Sequence, residues 1–443
     1  MYFKSVIVFL CFYACAHTVF SVVNDQPVVN TQPEQVHLSC GNSPTEMMVT
    51  WVTMDPTNTS TVEYGLRKLD HTQTGTVSKF VDGGSEARVL FIHRVLLTDL
   101  KPNTEYVYHC GSDDGWSAIF WFTTLKTGTD WSPNFAIFGD LGNVNGQSIP
   151  RLQEEVQKNH FDVLLHVGDI AYNMDTDNAR VGDEFMRQME PIAAYVPYMT
   201  CVGNHEYAYN FSNYVNRFSM LNQEREINNL FYSFDVGPAH IIAFSTEFYF
   251  YVNYGWTQIV HQYEWLENEL KKANLPENRA ERPWIITMGH RPMYCSTDDS
   301  DDCTHKESII RKGIPLLGAF GLEDLFYKYG VDLELWAHEH VYERMWPVYD
   351  RKVYNGSLDA PYTNPKAPVH IITGSAGCQE KLDPFVPNPP PWSAVRISDY
   401  GFTRMKIYNK THLYMEQVSD DQNGRVVDKM LLIKEKHGPE AWL

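Results

Sequence analysis

The stretch "DVLLHVGDIAY", residues 162–172, decides how the whole chain is read. Val163, Leu164, Leu165 and Val167 leave a strand with no polar face, and Gly168 then breaks the run and delivers Asp169 and Tyr172. Such a strand belongs inside a layered α/β sheet that is covered on each side. The construction recurs: "FAIFGDLG" leads to Asp140, "YMTCVGNHE" to Asn204 and His205, "WIITMGH" to His290 and "VDLELWAHEH" to His338 and His340. "HIIAFST" reads as a further strand of the same kind. Between these runs lie helical patterns such as "IPRLQEEVQKN", "GDEFMRQMEPIAAY", "QIVHQYEWLENELKKA" and "LEDLFYKYG". Strands alternating with helices predict an α/β (α+β layered) domain over residues 131–365, which residues 366–443 complete.

Taken singly, each strand-end motif has an ordinary explanation. Gly-Asp after a strand is usually a turn whose Asp caps a helix, Asn204 suits a cap, and a lone histidine is more often a satisfied core residue. The joint order carries the argument. Residues at the carboxyl ends of α/β strands converge on one crevice, so side chains far apart in sequence can share a site.

Upstream the period shortens. Over residues 27–126, "QVHLSC", "MMVTWVT", "STVEYG", "RVLFIHRVLLTDL", "EYVYHCG" and "AIFWFTTL" are separated by Gly, Pro, Asn and Asp, which predicts an all-β sandwich. "LKPNTEYVYHC" resembles the penultimate-strand signature of fibronectin type III domains, with Tyr106 or Tyr108 as the corner tyrosine and Trp51 filling the core. No chemistry is written in this region, and its expected role is packing.

A hydrophobic fraction of 43% over 443 residues suits globular domains rather than disorder. The formal charge of −19 excludes a nucleic-acid partner and means that a site for an anionic substrate needs concentrated local positive charge, which metal ions could supply. Residues 1–21 read as a secretory signal peptide: Lys4, an apolar stretch, then small residues. No later segment is long and apolar enough to span a membrane stably. Cys11 and Cys15 would leave with the signal. Cys40, Cys110, Cys201, Cys295, Cys303 and Cys378 remain, and Cys295 with Cys303 is the favoured disulfide pair for an extracellular chain. Sequons at Asn58, Asn210, Asn355 and Asn409 fit a secreted glycoprotein.

The ordered blocks resemble the purple acid phosphatases within the calcineurin-like metallophosphoesterases, most closely their long secreted animal form. The first block is D-x-G and the second ends in tyrosine, and both details favour the purple subgroup. The resemblance implies that Asp140, Tyr172 and His340 hold a ferric iron. Asn204, His290 and His338 would hold a divalent ion, Zn, Fe or Mn, with Asp169 bridging the two. The donor types agree: carboxylates and a phenolate are hard anions suited to Fe(III), and an amide oxygen with two imidazoles suits a divalent ion. Two departures stand out. Ala337 replaces the glycine of the usual G-H-x-H block, which should alter only local packing. The segment after His290 offers only His305 where some relatives carry more histidines.

The implied function is hydrolysis of small phosphate monoesters, with a metal-bound hydroxide attacking phosphorus in line. His205, or else His305, would protonate the leaving group. Glu206, Glu339 and Arg344 are expected to support structure or orient the histidines. A phosphodiesterase or nucleotide pyrophosphatase on the same scaffold is the alternative enzyme, and a non-catalytic secreted metal-binding glycoprotein the alternative from another class.

Overall fold

The computed structural model describes residues 30–300, 303–304, 306–315 and 318–442. The signal segment 1–21 and His305 lie outside the described residues.

The front region forms two facing sheets. One runs Glu34–Cys40, Met47–Thr53, Val89–Leu97, Thr76–Val81; the other runs His71–Thr74, Thr61–Gly65, Glu105–Ser112, Gly115–Trp116, with Phe120–Thr123 also pairing Glu105–Ser112. Trp51, Tyr108, Phe122, Val49 and Leu97 fill the space between them. Sequence patterning misses His71–Thr74 and Thr76–Val81, because these strands are largely solvent-facing and polar and carry no apolar alternation. Tyr106 takes the corner position, its hydroxyl accepting the Lys101 N–H at 2.9 Å. Tyr108 does something else: its hydroxyl donates to the Ala194 carbonyl at 2.7 Å, outside the sandwich.

The larger region holds two mixed sheets where the strand pattern alone suggests one. The first runs Tyr198–Cys201, Val163–Val167, Asn134–Phe138, Gly401–Ile407, His412–Ser419, Arg425–Ile433. The second runs Tyr232–Val236, Ala239–Ala243, Trp284–Met288, Leu333–Trp336, Val369–Thr373, Tyr342–Met345, Ser393–Ile397. The runs read as apolar on both faces are the parallel strands of each sheet, and antiparallel strands flank them. Ile137 and Leu165 of the first sheet and Ile286, Leu335 and Ile371 of the second share one core. Phe185 and Met189 of the helix Thr176–Ala193 and Leu266 of the helix Thr257–Ala273 join it.

The sheets meet beside the strand ends that carry the predicted ligands, where the Gly139 N–H donates to the Thr373 carbonyl at 2.9 Å. A Cβ on Gly139 would stand 2.4 Å from the Ala337 Cβ. The methyl of Ala337 is therefore accommodated by the bare backbone opposite, as a local packing change.

The two regions are joined through buried polar groups. Asp183 receives Arg217 at 2.8 Å and also pairs with Arg88 of the front sandwich. Arg217 reaches Gln35 of that sandwich at 2.9 Å. Ser39 and Thr50 bond to Ser219 at 2.9 and 2.8 Å. The front sandwich thereby buttresses the helix Thr176–Ala193, which begins four residues after Tyr172.

Candidate metal centre

Four predicted ligands sit in left-handed backbone: φ is 54° at Asp140, 48° at Asp169, 55° at Tyr172 and 71° at His338. Each such residue costs on the order of 1 kcal/mol or more, and strain of this kind persists only where the surroundings hold it. Here it turns the chain sharply at each strand end. Gly168, at φ 79°, has no alternative residue, since a Cβ there would stand 2.5 Å from His290 Nδ1.

His338 and His340, with Glu339 between them, are divided by backbone geometry. The Glu339 N–H bonds the Ala337 carbonyl at 2.8 Å and the Val341 N–H bonds the Glu339 carbonyl at 2.7 Å, which makes two successive three-residue turns.

The side chains separate into two groups. In the first, the Tyr172 hydroxyl lies 2.8 Å from His340 Nε2 and 3.3 Å from Asp140 Oδ1, and His340 Nε2 lies 3.6 Å from the same oxygen. In the second, His290 Nε2 lies 3.0 Å from Asn204 Oδ1 and 3.2 Å from Asp169 Oδ2, and Asp169, His290 and His338 bring donor atoms within 4.8 Å of one another. Both orienting bonds favour Nε2 as the donor to the centre: His290 Nδ1–H donates to the Val167 carbonyl at 2.9 Å, and His340 Nδ1–H to the Lys381 carbonyl at 3.0 Å.

Electrostatics tests whether these residues fit cations. Asp140 is fully buried, and burial raises its carboxyl well above the ordinary range. Burial also raises Asp169, but His290, His205 and His338 outweigh it and hold that carboxyl below the usual range. Burial, then Asp140 and Asp169, push the Tyr172 phenol well above 10. Burial lowers His290, and Asp169 and Asp140 more than reverse this, to about 10. Two buried carboxylates and a phenol thus crowd one space with imidazoles as their counterweight. Such a donor set fits cations of high charge.

His205 lies beside both groups. Its ring centroid is 4.4 Å from that of Tyr172, its Nδ1 is 3.0 Å from Asn173 Oδ1, and its Nε2 is 3.9 Å from Asp169 and 3.8 Å from Glu380. Glu206 orients backbone rather than histidine rings, as its carboxylate accepts the N–H groups of Asp169, Ile170 and Gly203. Glu339 accepts the Thr297 hydroxyl. Of the two roles expected of it, Arg344 takes the structural one and does not orient the histidines. It makes a bidentate pair with Asp428 at 2.6 and 2.9 Å and bonds Tyr362, so it joins the two sheets instead.

Cys295 and Cys303 form the expected disulfide, and Cys40, Cys110, Cys201 and Cys378 are free and buried. Sequence reasoning misses several neighbours of the centre. Cys378 Sγ lies 3.0 Å from His340 Nδ1, Asp383 accepts the His340 N–H at 2.6 Å, and Arg291 pairs with Glu247. A usable signal existed: "VHIITGSAG" and "HIIAFSTE" are also buried strands running into loops.

Paired sheets whose strand ends gather carboxylates, a phenol, an amide and imidazoles define a metallophosphoesterase. Residues 133–342 match the calcineurin-like phosphoesterase model, residues 33–124 that of the purple acid phosphatase N-terminal domain, and residues 367–429 that of the iron/zinc purple acid phosphatase-like protein C region. The chain is 61% identical over 430 residues to Acid phosphatase type 7 of Danio rerio, covering 96% of each chain. It is 31% identical over 436 residues to the Fe(3+)-Zn(2+) purple acid phosphatase 12 of Arabidopsis thaliana, covering 93% of this chain and 87% of that one. Among solved structures it resembles the purple acid phosphatase from yellow lupin (Lupinus luteus) seeds, with a TM-score of 0.75 and 26% identity over 91% of this chain and 75% of that one. The chain belongs to the purple acid phosphatase family.

Proposed function

We propose that this protein is a secreted acid phosphatase that hydrolyses small phosphate monoesters at a centre of one ferric and one divalent ion. The observation that carries the reading is the division of the donors into the Asp140–Tyr172–His340 group and the Asp169–Asn204–His290–His338 group. Asp140, Tyr172 and His340 would hold the iron. Asn204, His290 and His338 would hold the divalent ion, zinc in the Arabidopsis relative's name, and Asp169 would lie between them. When bound, the ions supply positive charge for the phosphate and activate water as the nucleophile.

The chain's own side chains do the rest. Asn173 fixes His205 through Nδ1, which leaves Nε2 at the Asp169 side to pass a proton to the departing oxygen. Val167 and Lys381 lock the tautomers of His290 and His340.

Export is supported by the leader-like residues 1–21, by the Cys295–Cys303 disulfide, which suits an oxidising compartment, and by the exposure of Asn58, Asn210 and Asn409 as glycan acceptors. Asn355 is only partly exposed. No described helix is long and apolar enough to cross a membrane.

The deciding experiment is metal analysis of protein recovered from the culture medium, with hydrolysis of an aryl phosphate followed across acid and neutral pH. Asp169→Ala should lose both metals and activity, and His290→Ala mainly the divalent ion. Full metal retention in Asp169→Ala would overturn the assignment.

A further inference from the structure

We propose that Arg291 is a ligand for the substrate phosphate and favours monoesters over diesters. The inference rests on the phosphatase reading above. Arg291 follows His290 in sequence, and its backbone N–H donates to Thr246 Oγ1 at 3.0 Å. Its Nε stands 3.1 Å from both oxygens of Glu247, a carboxylate with 0% exposure, and its guanidinium carbon lies 4.1 Å from the centre of the Phe250 ring. Its Nη1 lies 3.0 Å from His338 Nε2.

These contacts give the side chain a direction. The Nε edge faces the buried carboxylate and the Nη1 end lies against the donor group of the divalent half. The pair is a fixed dipole whose positive end touches His338. A guanidinium locked by a carboxylate and an aromatic face loses little freedom on gripping phosphate oxygens. Charge then decides between ester classes. A phosphate monoester carries up to two negative charges where a diester carries one, so the positive end of this dipole stabilises the bound monoester more.

The test uses metal-loaded wild type and two variants, Arg291→Lys and Arg291→Gln. Values of kcat/KM are measured for an aryl phosphate monoester and the matching bis-aryl diester, with inorganic phosphate as the binding probe. Arg291→Gln should lower the monoester value roughly 10- to 100-fold and weaken phosphate binding by a similar factor. The diester should change by less than about threefold, and Arg291→Lys should fall between. Equal losses on both esters, unchanged phosphate binding, or loss of the divalent metal in Arg291→Gln would each sink the proposal, the last by making Arg291 a support for His338. If wild type hydrolyses neither ester yet Arg291→Gln still weakens phosphate binding, the phosphatase reading fails and the anion site stands.

Discussion

Glu206 holds the peptide of Asp169 in place: its Oε2 accepts the Asp169 N–H at 3.0 Å and also the Gly203 N–H at 2.9 Å, and its Oε1 accepts that of Ile170 at 2.8 Å. One carboxylate thus ties the loop carrying Asp169 and Tyr172 to the loop carrying Asn204.

Replacing that acceptor with an amide puts a donor against one or two N–H groups. Glu206→Gln should cost about 1–3 kcal/mol in urea unfolding and lower the content of both metals, since the Asp169 loop is no longer held. Wild-type stability with full metal content would show that the three bonds are dispensable.

Tyr172→Phe tests the phenol as an iron donor. The oxidised iron-loaded protein should be violet from phenolate-to-Fe(III) charge transfer, and the variant should lose the visible band and become easier to reduce. The ring would still pack against His205, so folding should be retained. An iron-loaded variant with an unchanged spectrum would remove Tyr172 from the metal centre.

His205→Ala should slow alkyl phosphates far more than activated aryl phosphates, whose leaving groups depart without an acid. The readout is the ratio of kcat values for the two substrate types. A ratio equal to that of wild type would make His205 a positioning group.

The pH dependence of stability has a source away from the metals. Burial lowers the affinity of His240 for its proton, but Asp235 at 2.7 Å and Glu269 at 3.1 Å raise it further, to about 9. A histidine raised in the folded state contributes stability that is full below about 6.5 and is lost as pH rises through about 9. Wild type should therefore lose up to about 3 kcal/mol between those limits, and His240→Gln should flatten that part of the curve. Parallel pH curves for the two proteins would contradict this.

The strand ends were legible because a short apolar run stopped by glycine, or before His338 by Ala337, reads as a buried strand meeting a loop. Asp140, Asp169, His290 and His338 all lie two residues past a strand. That the strands form two sheets was not legible, because periodicity says which faces are buried and nothing about which strand lies beside which. The neighbours of His340 were hidden for a related reason. Lys381 contributes a backbone carbonyl, which leaves no trace in side-chain pattern, and Cys378 arrives through a turn at φ 58°. The partner of Arg344 was not legible either, because nearness in sequence to His340 does not say which way the strand turns a side chain, and this one faces Asp428.

The polar seam between the front sandwich and the helix Thr176–Ala193 also bears on synthesis. The sandwich leaves the ribosome first, with its partner helix still to come. The side of it that is later covered carries Gln35, Ser39 and Thr50, each at most 1% exposed in the finished protein. A nascent sandwich therefore shows water hydroxyls and an amide along this seam beside the Cys40 side chain, so part of the face that awaits Arg217 and Ser219 is polar.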